Sequence, residues 1–256
     1  SEITMMLSVL GVCLYPLMPG PARVRLPLVS VGTALGVCAC LLSGSRGSWL
    51  AGLLMGAMLV HHRWANRRVW VGLLAYAGAV FGLTWIPSVR ERLEAAGVGL
   101  RAWLELGHVK TPVGVRLEAW RGSLQELFFE APLFGQGYQG FKPALARLSE
   151  EGLVARGLTW VGHAHNEWIQ VLVEHGLLGV LALLVLYLGV WSALRQGLEA
   201  TGHAPQLQLA LRLLGVGCVV YGLTDVLISN LATATFFCGI SAWLALLIGE
   251  SSHSES

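Results

Sequence analysis

Three short segments of this sequence carry residue types that can move protons or hold anions. In GHAHNEWIQ (162–170), His163 and His165 alternate and Asn166 follows. Imidazole titrates near neutral pH, so either ring suits a general base or acid. The same His-x-His pair offers two metal ligands, although Glu167, the nearest carboxylate, has no clear ligand spacing. A polar entry into the following helix is the third reading. Glu174 and His175 come one and two turns later and either reach inward or sit at an interface. In SGSRGSW (43–49), Arg46 stands among glycines and serines. Small neighbours let a phosphate approach the backbone, and guanidinium presents bidentate donors. The competing reading is an interfacial anchor, because an arginine at a helix centre in hydrocarbon costs from about 2.5 kcal/mol upward unless it snorkels. Asp225 is the only Asp in the chain and lies near the outer end of an apolar stretch. A carboxylate at such a place is a functional candidate, with a helix–helix hydrogen bond as the plain alternative. Tyr221 and Ser229 flank it by one turn, and a role in orienting His165 is open.

Other chemistries are excluded or weak. A single Asp forbids the paired Asp of enzymes that hold a metal–nucleotide diphosphate. FGQGYQGF (134–141) has the form G-x-G-x-x-G, but no strand precedes it and Pro143 follows closely, so dinucleotide binding is rejected. Its glycines are expected to make tight turns that seat Tyr138 and Phe141. The five cysteines all fall in apolar runs and read as small core hydrophobes rather than a disulfide framework.

The elements that position these residues follow from composition. Of 256 residues, 55% are hydrophobic and 12% charged, with a mean hydropathy of +0.63. Soluble domains carry roughly a quarter charged residues, so a cytosolic enzyme is excluded. A net charge of +2 gives no basic surface for nucleic acid. A helix crosses a bilayer with about 20 apolar residues. Seven spans are predicted, at about 4–19, 26–43, 47–62, 69–86, 168–194, 207–228 and 231–249. No signal peptide opens the chain. Arg23 and Arg25, then Arg63, Arg67 and Arg68 of HHRWANRR, then Arg195 mark alternate turns as cytoplasmic, together with the C-terminal tail. The Arg46 turn, the long loop after the fourth span and the Ser229–Asn230 turn then share the opposite side.

That loop of about 80 residues is too long to be structureless. It reads as two amphipathic helices and a glycine-rich connector. The first covers about 88–106. The second starts with Thr111 as N-cap and Pro112 at its first position. Its apolar stripe is Val113, Leu117, Trp120, Leu124, Leu127 and Phe128, with Arg116 at the border, and is expected to pack on the membrane domain or lie in the interface. Pro132 ends it. The domain boundaries predicted are 1–86 for the first four spans, 87–165 for the loop, and 166–256 for the remaining spans and tail.

Taken together, SGSRGSW (43–49), GVR…W (114–120), APLFGQGYQGF (131–141) and HAHNEWIQVLVEHGLLGVLALL (163–184) resemble the O-antigen ligase and polymerase superfamily of bacterial inner membranes. The last segment is the most specific, in residues and in its place before a span. Family members usually carry more spans, so the resemblance implies that this chain is the C-terminal part of a longer protein whose N-terminal helices are absent or shortened here.

The resemblance implies an all-α, polytopic transmembrane bundle with a large periplasmic loop. It implies a metal-independent, inverting glycosyltransferase without cofactor, its site facing the periplasm. The donor would be a glycan on undecaprenyl diphosphate, and the acceptor a sugar hydroxyl of lipid A–core. Polymerase and protein O-oligosaccharyltransferase relatives share these residues and are the alternatives within the class. A membrane transporter is the alternative outside it, weakened by the lack of paired broken helices. Under this reading His165 takes the acceptor proton, and Arg46 and Arg116 stabilise the leaving diphosphate. Substrate contacts are expected at His163, Asn166, Trp120, Gly135, Gly137, Tyr138, Arg121 and Asp225, with Arg147 a weaker candidate.

Overall fold

The computed structural model describes residues 2–63, 69–107, 109–156, 158–200 and 205–253. Among them every regular element is a helix or helical turn, as the all-α reading requires. The chain divides into two compact units. One comprises Ser1–Val89, Leu188–Tyr221 and Leu231–Ser256. The other comprises Arg90–Tyr187 and Gly222–Asn230. The second unit therefore takes in the long loop, the first half of the following helix and a short return segment.

The first unit holds α1 (Glu2–Leu14), α2 (Ala22–Ser43), α3 (Arg46–Arg63) and α4 (Val69–Leu83), with most of α10 (Pro205–Thr224) and α11 (Leu231–His253). Gly52 lets Met5 of α1 settle on α3, since a Cβ there would meet the Met5 side chain at 2.7 Å. The Tyr76 hydroxyl reaches the Gly52 and Leu53 carbonyls at 3.0 Å and pins α4 to α3. Of the seven spans predicted, four correspond to helices long and apolar enough to cross a bilayer: α2, α9 (Glu167–Ala200), α10 and α11. The count becomes five if α4 and α5 (Pro87–Leu106) form one broken span. The interruption has a local cause. Pro87 disfavours helical geometry at the residue before it, so α4 stops at Leu83 and residues 84–86 form turns. α1, at 13 residues, is shorter than the 4–19 span predicted. Arg67 and Arg68 of the basic turn lie outside the described residues.

In the second unit α5 and α6 (Pro112–Gly122) fall where periodicity placed them. Thr111 caps α6 by accepting the Gly114 N–H at 3.0 Å, with Pro112 next. The stripe assigned to α6 needs correction. A π turn at Ser123–Leu127 carries the helix into α7 (Phe128–Glu130), and its extra residue resets the register. Leu124 is thrown outward, whereas Leu127 is buried. The buried face joins Ala119 and Leu127 to Phe141, Leu145, Leu148, Val154, Leu158, Val161, Ala164, Ile169 and Val173, with Val115 and Trp120 packed at its edge. The loop thus builds a small core of its own. Full burial of each Phe or Leu in it contributes about 1.5–3 kcal/mol.

A third loop helix, α8 (Phe141–Glu151), stands where a connector was expected. Pro143 sits in its first turn, where a missing N–H costs nothing. Phe141, Ala144, Leu145 and Leu148 form its inward face, and Gly152 ends it at φ 77°. The Glu118 carboxylate binds the segment after α8. It accepts from Arg121 at 2.7 Å, Trp103 Nε1 at 3.2 Å and the Ala155 N–H at 3.1 Å.

The helix that follows the loop is broken. Gly176 has φ 63° and ψ −159°, which splits α9 after His175. Chain 131–137 is laid into the break. Gln136 and Gly137 donate their N–H groups to the Val173 and Glu174 carbonyls at 2.7 and 2.9 Å. In return Leu177 and Leu178 donate to the Pro132 and Leu133 carbonyls at 2.8 and 3.2 Å. These four bonds satisfy backbone groups that the interruption would orphan. The approach requires glycine on both sides. A Cβ on Gly176 would overlap the Leu133 carbonyl, and one on Gly135 would lie 2.5 Å from backbone atoms of residues 173–175.

Candidate functional site

The segment 163–166 meets the return segment 223–230 and α6 within the second unit. Asn166 is the N-cap of α9: its Oδ1 accepts the Ile169 N–H at 3.1 Å, while its Nδ2 donates to the Leu223 carbonyl at 3.2 Å. Ala164 is held through both backbone groups. Trp120 Nε1–H donates to its carbonyl at 2.7 Å, and its N–H donates to Gln170 Oε1 at 2.8 Å. Between these fixed points His165 takes φ 50°, a left-handed conformation uncommon for a side-chain-bearing residue. Strain of this kind, on the order of 1–3 kcal/mol, persists only where the surroundings over-determine it.

His165 Nδ1 lies 3.4 Å from Asp225 Oδ1 and 3.4 Å from Arg116 Nη2. Only one of these contacts is a hydrogen bond at a time. A protonated Nδ1 donates to Asp225, and a bare Nδ1 accepts from Arg116. The first arrangement leaves Nε2 with its lone pair. The His163 ring lies tilted against His165, at 59° with centroids 4.0 Å apart, and its Nδ1 accepts the His165 N–H at 3.4 Å. Burial, then the neighbouring His165, holds the His163 ring below the ordinary imidazole range, against the pull of Asp225. His163 is therefore a neutral ring with its Nδ1 engaged. Burial alone would raise the Asp225 carboxyl, but His165, the Val226 N–H and His163 hold it below the usual carboxylate value.

Asp225 is not inside a span. α10 ends at Thr224, and Asp225 opens the irregular return segment. Ser229 does not hold it either; the Ser229 hydroxyl donates to Glu167 Oε1 at 2.9 Å. One ligand atom each from His163, His165 and Asp225 lie within 4.8 Å of one another, the one such three-residue set among the described residues. A cation could face all three. The Arg116 guanidinium beside His165 opposes a second positive charge there, while the Asp225 carboxylate favours one.

The remaining expected residues divide. Trp120 acts through Ala164, as described. Arg121 is committed to Glu118, Gln125 Oε1 at 3.1 Å and the Leu153 carbonyl at 2.7 Å. Arg147 pairs with Glu130 at 2.5 Å. Gly135 seats the chain on α9. Gly137 has φ 90° and open space around it. Tyr138 is 78% exposed and not seated in the core, unlike the fully buried Phe141. Glu174 is buried and accepts the Phe141 N–H at 3.5 Å, whereas His175 is exposed. Arg46 belongs to the first unit, at the first position of α3. Gly44 closes α2 there at φ 62°, and Ser45 Oγ accepts the Ser48 N–H at 3.5 Å. Two residues that build the site, Glu167 and Gln170, were not expected. Both precede or enter an apolar helix, and only the fold reveals what they hold.

A cavity of about 790 Å³ opens beside His163. Tyr138, Gln139, Lys142, His163 and His175 line one part, and Val171, Gly179, Ala182, Leu183 and Leu186 the other. Gly179, Ala182, Leu183 and Leu186 recur at helical spacing on one face of α9.

These features define a helical membrane protein with a His–Asp–Arg cluster built by a folded loop and the start of a span. The family model described as "O-Antigen ligase" matches residues 31–203, about two thirds of the chain. The chain belongs to that family. It is also similar to a Haemophilus influenzae protein named only "Uncharacterized protein", with 27% identity over 165 residues. The match covers 62% of this chain and 41% of the relative, so the chain spans well under half of that protein's length.

Proposed function

We propose that this chain carries the acceptor-activating part of a periplasmic glycosyltransferase of the bacterial inner membrane. It would move a glycan from undecaprenyl diphosphate to a sugar hydroxyl of lipid A–core. The observation that carries this reading is His165 Nδ1 within 3.4 Å of both Asp225 and Arg116. The neutral ring carries its proton on Nδ1 and donates it to Asp225, which leaves Nε2 bare as the base. Arg116, with no lone pair on Nδ1 to bind, is left for the arriving diphosphate. The acceptor oxygen then attacks the anomeric carbon and gives its proton to His165 Nε2. The bond from that carbon to the phosphate oxygen breaks, and its electron pair leaves with the diphosphate, inverting the centre. Arg116 meets the growing negative charge. Arg46 joins this proposal through its place in the family motif alone. No metal is needed where guanidinium supplies the positive charge. His163, neutral, offers Nε2–H to the sugar.

The test is transfer in proteoliposomes, with undecaprenyl-diphosphate glycan and one of three acceptors: lipid A–core, a second lipid-linked repeat, or a serine-bearing peptide. His165→Ala should lower turnover on the order of 100- to 10,000-fold while the protein stays folded. Turnover within threefold of wild type would end the reading, and use of a different acceptor would reassign the activity within the family.

A further inference from the structure

Glu167 is the first residue of α9, fully buried, and has no part in the proton transfer proposed above. Its two oxygens accept four hydrogen bonds from one short stretch of chain. Oε2 accepts the N–H groups of Leu227 and Ile228, the latter at 3.0 Å. Oε1 accepts the Ser229 N–H at 3.2 Å and its hydroxyl at 2.9 Å. A buried carboxylate is costly unless its oxygens are satisfied, and successive backbone N–H groups form an anion-binding concavity. Here the protein's own carboxylate fills that concavity. Next to it, Asn166 holds the Leu223 carbonyl. The chain is thus gripped at residue 223, in the last turn of α10, and again at 227–229, and Asp225 lies between the grips.

We propose that Glu167 is the positioning residue that holds Asp225 against His165. This rests on the reading of His165 as base. It assigns orientation of that base to a buried carboxylate that touches neither reactant nor imidazole. The segment 225–230 has no regular structure, and the Val226 N–H on Asp225 Oδ1 at 2.9 Å sets that side chain against its own backbone without bringing it to His165. The grip across 60 residues of sequence brings it there, by tying the segment to the helix that begins two residues after His165.

Two measurements test it. Asp225 is the only Asp in the chain, so isotope-labelled aspartate gives one carboxyl signal in solid-state NMR. With labelled histidine, wild-type protein in lipid should show dipolar coupling from that carboxyl to a histidine Nδ1, and Glu167→Gln should lose it. This readout needs no activity, so it stands or falls apart from the glycosyltransferase reading. The second is a double-mutant cycle on kcat. Glu167→Gln should lower kcat about 10-fold or more by itself, yet change it less than about 3-fold when added to Asp225→Asn. Ser229→Ala removes one of the four donors and should cost about 3- to 10-fold alone and nothing in the Asp225→Asn background. It carries the test if Glu167→Gln does not accumulate in membranes. Retained coupling in the variant, or losses that multiply in the cycle, would overturn the assignment.

Discussion

Replacing Gly176 by alanine should unlatch chain 131–137 from α9. The native φ of 63° with ψ −159° is a conformation that only glycine adopts freely. Holding alanine there costs on the order of 1–3 kcal/mol. The new Cβ would also overlap the Leu133 carbonyl. Relief requires that carbonyl to move, and it is the acceptor of the Leu178 N–H. The neighbouring Pro132–Leu177 bond moves with it. Two hydrogen bonds at a net of about 1 kcal/mol each bring the total to about 3–5 kcal/mol. At about 1.4 kcal/mol per decade, the latch opens on the order of 100- to 4,000-fold more often. Amide hydrogen exchange reads this directly at Gln136, Gly137, Leu177 and Leu178, which should lose that much protection while the α8 amides keep theirs. Gly135→Ala should act alike, because its Cβ meets the α9 backbone at residues 173–175. Gly137→Ala is the control, since it carries a positive φ but no atom within 4 Å. It should cost only the conformational part. Protection in Gly176→Ala within threefold of wild type would refute the latch, and equal losses in Gly135→Ala and Gly137→Ala would refute the steric reasoning.

Two further outcomes follow from the loop and the cavity. The Arg121 hydrogen bond, aided by Trp103 and the Ala155 N–H and opposed by burial, holds the Glu118 carboxyl below its ordinary value. Its contribution to stability is therefore complete above the unfolded value of about 4.3 and is lost as pH falls through the lower folded value. Glu118→Gln should lower stability by about 1–2 kcal/mol at pH 7, and thermal melts of the two proteins should converge in strong acid; a constant gap across pH would contradict this. Ala182→Trp fills the apolar part of the cavity and should raise KM for a long-chain lipid donor at least about 10-fold with kcat retained, whereas a short-chain donor should be used as before. Equal effects on both donors would show that the lipid does not lie there.

Local signals in the sequence survived folding and non-local ones did not. Thr111 and Pro112 announce a helix start through chemistry confined to four residues, and the structure has the cap at that place. α8 went unrecognised because the chain around FGQGYQGF reads as a glycine-rich connector, and Pro143 in a first turn leaves no helix-start signal as clear as that of Thr111 and Pro112. Leu124 was misassigned because a uniform 3.6-residue period cannot register the extra residue of a π turn. The alternating histidines were visible as a candidate base. Which of them faces a carboxylate was not, because Asp225 lies 60 positions away in a segment without regular structure. Glu167 was weighed only as a metal ligand and dismissed on spacing. Its partners are backbone N–H groups of residues 227 and 228 and Ser229, which no side-chain pattern can reveal. Arg46 was legible as an arginine in a turn of small residues at the end of a span, and the structure places it at the head of α3.

The interruption at Gly176 also fixes a depth. Downstream of it, Leu177–Glu199 is apolar and long enough to reach from one face of the hydrocarbon to the other. Upstream, nine residues carry Glu167, Gln170, Glu174 and His175. An unbroken helix would be free to slide along its axis and trade those polar groups against lipid. With chain 131–137 wedged across the joint, the rod has a collar. The joint gives the helix a folded stop in addition to its change in hydropathy, at the point where its polar turns end.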